Sequence, residues 1–214
     1  MSSDNVKSKK TIQLCSSLQT AKVFKGTTTV GALCSDGVIM AADKRAVSGY
    51  FISHKRTDKI SLIKQYIAVT MAGTVAEAQI LIDQLKGEAN LFEMTYGRRM
   101  SVRALASLAA QNMGGQYRFA HYPIQLIIGG YDDDGPSLFA VDFFGAMTEE
   151  KLIATGSGSP VALGELQGHD FLSMKVEEAL PIVRRAIQAA MEWDTATGEG
   201  VDVVAITKEG AKKL

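Results

Sequence analysis

Lys25-Gly26-Thr27-Thr28-Thr29-Val30-Gly31 is the stretch where this chain changes character. A polar leader precedes it. From Thr27 to Ala42 the residues alternate or run apolar: TTTVGALCS, then Asp36-Gly37, then VIMAA. Asp-Gly between two such runs is a hairpin signal, so strands of a sheet begin here. The glycine before three threonines also has a chemical reading. Scission after Gly26 exposes a threonine with both a hydroxyl and a free amine, so that nucleophile and base share one residue. The threonine run by itself is ordinary strand material.

Outward from that point the pattern continues as strands, helices, strands, helices, strand. ISLIK at 60–64 and YIAVTMAG at 66–73 read as a second strand pair, and residues 44–59 read as a polar loop with a turn at Ser48-Gly49. Thr74 opens a helical pattern, with Glu77 placed to complete a capping box and Val75, Ile80, Leu81, Leu85 and Phe92 near helical spacing. A second alanine-rich helix follows Ser101. Strands return as IQLIIGGY at 124–131, SLFAVDFFG at 137–145 and KLIATG at 151–156. Asp132-Asp133-Asp134-Gly135 between the first two reads as a solvated turn, because the alternating ligands and closing glutamate of a calcium loop are missing. A helix begins near Ser159-Pro160, and a longer one runs from Val176 to Trp193, with Pro181 expected to bend or delay it. VDVVAIT at 201–207 closes the pattern. Segregated runs of this kind predict an α+β fold with helices covering sheet, rather than a parallel doubly wound sheet.

The bulk numbers narrow the function. A chain of 214 residues forms one domain that needs no disulfide or metal staple. Its 46% hydrophobic and 21% charged residues read as globular. Lys plus Arg (23) equals Asp plus Glu (23), which points away from nucleic acid and acidic membrane surfaces. No apolar window has the length of a membrane span, and the leader lacks a secretory core, so a cytoplasmic location is expected. Cys15 and Cys34 flank the proposed cut and fit a reducing compartment. His54, His121 and His169 are scattered and do not have zinc-site spacing; no metal and no cofactor is expected. His54 reads as a solvent-exposed loop residue.

Thr27 acquires company along the chain: Asp43 in MAADKR, Lys59 in HKRTDKI, Gly73 in TMAG, Ser157 in TGSGS and Asp194 in MEWDTATG. In this order the pieces resemble the proteasome β-subunit family, most closely its archaeal type, from Thr27 to about Gly210. The resemblance implies a four-layer α/β/β/α sandwich of two antiparallel sheets. It also implies a propeptide, residues 1–26, removed autocatalytically at Gly26-Thr27, and a single catalytic domain over 27–214. Thr27, Asp43 and Lys59 fall on the family's catalytic threonine, acid and lysine. Gly73 falls on the oxyanion-hole glycine. Ser157 and Asp194 fall on the residues around the nucleophile's amine, together with Thr197, where the family often has serine. Ala46, Val47 and Met71 fall on substrate-contacting positions. Val47 replaces a common threonine, and Met71, matching the base of the pocket, favours cleavage after large hydrophobic residues.

Elementary chemistry agrees with those assignments. An α-amine titrates near pH ~8 and is partly free base at neutral pH. A neighbouring lysine lowers that value by like-charge repulsion. A lysine buried for that purpose needs a carboxylate partner. The resemblance further implies other β subunits in a seven-membered ring, α-type subunits outside it, an ATPase regulator acting through them, and unfolded polypeptides as substrates. The alternatives are a non-catalytic structural ring subunit, an HslV-like peptidase, or another N-terminal-nucleophile amidohydrolase.

Overall fold

The computed structural model describes residues 26–116 and 124–214. The expected leader, Cys15 and His121 lie outside the described residues.

Two five-stranded antiparallel sheets face each other. The first runs β10-β1-β2-β11-β12, built from Leu152–Thr155, Thr29–Leu33, Gly37–Asp43, Val201–Thr207 and Gly210–Lys213. The second runs in sequence order as β5 (Ile60–Lys64), β6 (Ile67–Gly73), β7 (Ile124–Asp132), β8 (Gly135–Val141) and β9 (Met147–Glu149). Helices α1 (Val75–Tyr96) and α2 (Val102–Gln116) cover the second sheet, while α3 (Ser159–Leu166) and α4 (Val176–Trp193) cover the first.

Strand alternation produces the layers. In β2, Val38, Met40 and Ala42 enter the core between the sheets, while Ile39 and Ala41 meet the helices. In β7, Ile127 faces inward and Leu126 and Ile128 face α1 and α2. Both faces of these strands are buried, which is why they read as continuous apolar runs rather than as clean alternation. The expected α/β/β/α sandwich is therefore the observed architecture.

Several local expectations need correction. Residues 44–59 are not all loop: Ala46–Ser48 (β3) and Phe51–His54 (β4) pair as a ribbon around Gly49 and Tyr50. Ile80 is 60% exposed, and α1 buries Ala78, Leu81, Ile82, Leu85 and Ala89 instead. Thr74 occupies the N-cap position but makes no side-chain cap bond, so the predicted capping box does not form. Carboxylates from sheet turns cap other helices. Asp132 accepts the Val102 N–H at the start of α2 (2.7 Å) and Asp36 accepts the Val176 N–H at the start of α4 (2.9 Å). Pro181 lies inside α4 on its exposed face, and the helix runs through it from Val176 to Trp193 without a break. Strand β8 stops at Val141, short of the predicted 145.

Candidate active site

Register brings the site together. β1 pairs with β10 at Thr29 and Thr155, and with β2 at Thr29 and Ala42. Two residues further along the same alignment, Thr27 lies beside Ser157, and one residue further Thr28 lies beside Asp43. Thr27 and Ser157 meet at 3.3 Å, backbone N–H to Oγ, and the Thr28 N–H donates to Asp43 Oδ1 at 3.0 Å.

The pleat gives each threonine a different task. Thr27, 6% exposed, lines a cleft of about 350 Å³. The Thr28 hydroxyl is 2.7 Å from that of Thr197. The Thr29 hydroxyl is 2.7 Å from that of Thr155 and accepts from Thr70 on the facing sheet at 3.2 Å. The second and third threonines are thus structural ties, and only Thr27 meets the cleft.

Asp43, at the end of β2, and Lys59, immediately before β5, join the two sheets through an ion pair of 2.6 Å, with side chains 0% and 2% exposed. The Asp43 carboxylate accepts from four donors: Lys59 Nζ and the Thr28 N–H on Oδ1, and the Arg45 and Gly198 N–H groups on Oδ2. A buried ion needs this saturation, since Coulomb attraction alone does not repay its desolvation. Burial pushes Lys59 below the ordinary lysine range, and the pull of Asp43 only partly opposes it. Lys59 also lines the Thr27 cleft.

A second carboxylate organises the other side. Asp194 closes α4, its N–H bonded to the Ala190 carbonyl. Its Oδ2 accepts from Ser157 Oγ at 2.6 Å and from Thr197 Oγ at 2.5 Å. Ser157, Asp194 and Thr197 therefore form one network that reaches the Thr27 nitrogen through Ser157.

Two glycines permit the close approaches. A side chain at Gly26 would start 1.8 Å from Ala196 Cβ and 2.8 Å from Ser157 Oγ, so only glycine fits ahead of Thr27. Gly156 has φ 92°, and a Cβ there would lie 2.0 Å from the Thr27 carbonyl oxygen.

The cleft wall also contains Gly73, at the end of β6, with Ala46 and Val47 on β3. Met71 falls elsewhere. It is 4% exposed in the core against α1 and α2 and is not part of the cleft wall. Helix α1 starts at Val75, four residues later, and covers that face of β6. Sequence reasoning passed over Ser53, Thr57, Val75, Ala76 and Gln79, which complete the wall. The spacing of Val75 and Gln79, one helical turn apart behind Gly73, was the available signal. His54 is exposed, as expected, but on a strand, and it reaches the cleft mouth. Larger hollows lie elsewhere, including one of about 600 Å³ between α1 and α2, but their walls carry neither Thr27 nor Lys59. Cys34 is buried, and burial raises its thiol to about 12, which leaves it inert at neutral pH.

Known proteins share much of this sequence. The family model described as proteasome subunit matches residues 23–206. The chain is 46% identical over 189 residues to the proteasome subunit beta of Methanopyrus kandleri, covering 88% of this chain and 90% of that one. It is 46% identical to the proteasome subunit beta of Archaeoglobus fulgidus, covering 88% of each. It is 47% identical to proteasome subunit beta 2 of Aeropyrum pernix, covering 88% of this chain and 85% of that one. With the match spanning both sheets, the chain belongs to the proteasome subunit family, on its archaeal β side.

Proposed function

We propose that this chain is a threonine endopeptidase subunit of a proteasome core, with Thr27 as its nucleophile after self-cleavage at Gly26-Thr27. The observation that carries the reading is that Lys59, buried against Asp43, lines the same cleft as Thr27. A buried lysine held at 2.6 Å from a carboxylate saturated by backbone N–H groups is costly to build for stability alone.

In the uncut chain the Thr27 nitrogen is an amide and cannot act as a base. Its hydroxyl attacks the Gly26 carbonyl, the C–N bond breaks, and the acyl group moves to oxygen as an ester. That shift, with the hydroxyl proton passed to nitrogen, frees the amine; water then hydrolyses the ester, releasing residues 1–26 and restoring the Thr27 hydroxyl. In peptide hydrolysis the amine, directly or through one water, takes the Oγ proton as oxygen attacks the substrate carbonyl. Positive charge on Lys59 favours the unprotonated amine. The Gly73 N–H stabilises the developing oxyanion. The ammonium then protonates the leaving amine, and a water molecule releases the acyl product. Ser157, Asp194 and Thr197 orient the amine.

The extended substrate lies along β3 near Val47 and along Gly73, adding a strand. The preference for large hydrophobic residues is supported by Ala46, Val47 and Val75 in the cleft wall. The same reading extends to assembly in seven-membered β rings between α-type rings, with an ATPase feeding unfolded polypeptide through the α ring, in the cytoplasm.

The test is to co-express the chain with an α-type partner and determine the N-terminal residue of the assembled protein by mass spectrometry. Thr27 is expected, and Thr27→Ala is expected to assemble without peptidase activity. An active particle beginning at any other residue overturns the reading.

A further inference from the structure

We infer that Arg45 is a positioning residue, whose guanidinium clamps the 194–199 loop so that both carboxylates of the site keep their hydrogen bonds; this rests on the peptidase reading above. Arg45 lies two residues after Asp43 and does not line the Thr27 cleft. Its Nη1 donates to the Thr195 carbonyl at 2.8 Å, and its Nη2 reaches Glu199 Oε1 at 3.3 Å. Between those anchors the guanidinium lies flat on Gly198, where an added Cβ would come within 2.4 Å of Arg45 Cζ and Nη2. No lysine provides this planar fork.

The clamped loop holds what both halves of the site need. Gly198 donates its N–H to Asp43 Oδ2 at 2.9 Å, and the Arg45 backbone N–H donates to the same oxygen at 3.1 Å. The preceding residue, Thr197, donates to Asp194, which also accepts from Ser157. Arg45 therefore connects the acid of the lysine pair to the network around the Thr27 nitrogen. Glu199 has φ 68°, a left-handed conformation that disfavours side chains other than glycine. Its ion pair with Arg45 offsets that strain and ends the loop at a defined point.

The test uses the assembled particle carrying Arg45→Lys, with Arg45→Ala and Glu199→Gln beside it. Misplacing a reacting group by a fraction of an ångström costs roughly tenfold or more in rate. Arg45→Lys is expected to lower kcat about tenfold with KM within about twofold, at an unchanged melting temperature. Labelling of Thr27 by a peptide vinyl sulfone is expected to slow by the same factor. Arg45→Ala is expected to lose more, and Glu199→Gln, which keeps a hydrogen-bond acceptor, less. Wild-type kcat in Arg45→Lys, or a loss confined to KM, overturns the inference. If Arg45→Ala fails to assemble, Arg45→Lys and Glu199→Gln decide the matter by the same readouts. Thr27→Ala serves as the control: residual activity there overturns the nucleophile assignment, whereas an inactive control beside a fully active Arg45→Lys overturns only the role of Arg45.

Discussion

Two lysine–carboxylate pairs bracket β5, and in both the nitrogen lies 2.6 Å from oxygen. Lys59 and Asp43 are sealed at 2% and 0% exposure, while Lys64 and Glu93 retain 17% and 28%. Distance therefore does not distinguish them; surroundings do. Asp43 is satisfied by three backbone N–H groups besides the lysine, and loss of any partner leaves charge stranded in the interior. Lys64 divides itself between Glu93 and Asn90, and Glu93 also accepts from Tyr66, so water and neighbours can replace what is lost. The inner pair is closed in by the fold and borders the Thr27 cleft. The outer pair pins α1 to the edge of the second sheet.

The largest separation between the pairs is expected on removing the lysines. Lys59→Met should lower peptidase activity by about 10²–10⁴-fold and destabilise the protein by about 3–5 kcal/mol in urea titration, because Asp43 is left buried and unpaired. Adding Asp43→Asn to Lys59→Met removes the stranded charge but keeps an acceptor for the backbone N–H groups, and should recover part of that stability and none of the activity. A double variant as unstable as the single one would show that the pair contributes to the fold itself. Lys64→Met should cost no more than about 1 kcal/mol and leave peptidase activity within about twofold. That cost should shrink in high salt, whereas the cost of Lys59→Met should not.

The smallest expected effects are in pH dependence, where the pairs act at opposite ends of the scale. The hydrogen bond from Lys64 holds Glu93 below its ordinary value of 4.5. Its stabilisation is complete above 4.5 and is lost as pH falls through the lowered value, so Glu93→Gln should flatten the acid limb of a melting-temperature profile. Lys59, lowered from 10.5 by burial, gives up its proton in the folded state before the unfolded chain does. Stability gains from this group as pH rises between the lowered value and 10.5, and Lys59→Met should remove that gain.

The legible parts of the fold were those buried by a regular rule. Val176–Trp193 and Val201–Thr207 have the bounds read from pattern, since α4 buries one stripe and β11 two alternating faces. The β3–β4 ribbon was not legible because Phe51, Ser53 and His54 are exposed and the pairing is carried by backbone. Strands β9 and β12 escaped for a related reason: they are short edge strands whose Thr148, Glu149, Lys212 and Lys213 face solvent. In the site, the candidates Thr27, Asp43, Lys59, Ser157, Asp194 and Thr197 converge, whereas Met71 does not reach the cleft. Arg45 carried no signal, since a lone arginine in a polar segment reads as surface.

The layer order and the candidate site residues came with the family resemblance; from the residues alone came most strands and helices, the α+β class and the glycine before the threonines. These depend on local periodicity and on the chemistry of individual side chains, both of which are written one residue at a time. How the other two threonines are turned away from the cleft, how the Asp43 carboxylate is saturated and which turns cap the helices depended on strand register and on how one sheet lies over the other. Those relations join positions as far apart as Thr28 and Thr197, and the free energy that selects them exists only once the layers have closed.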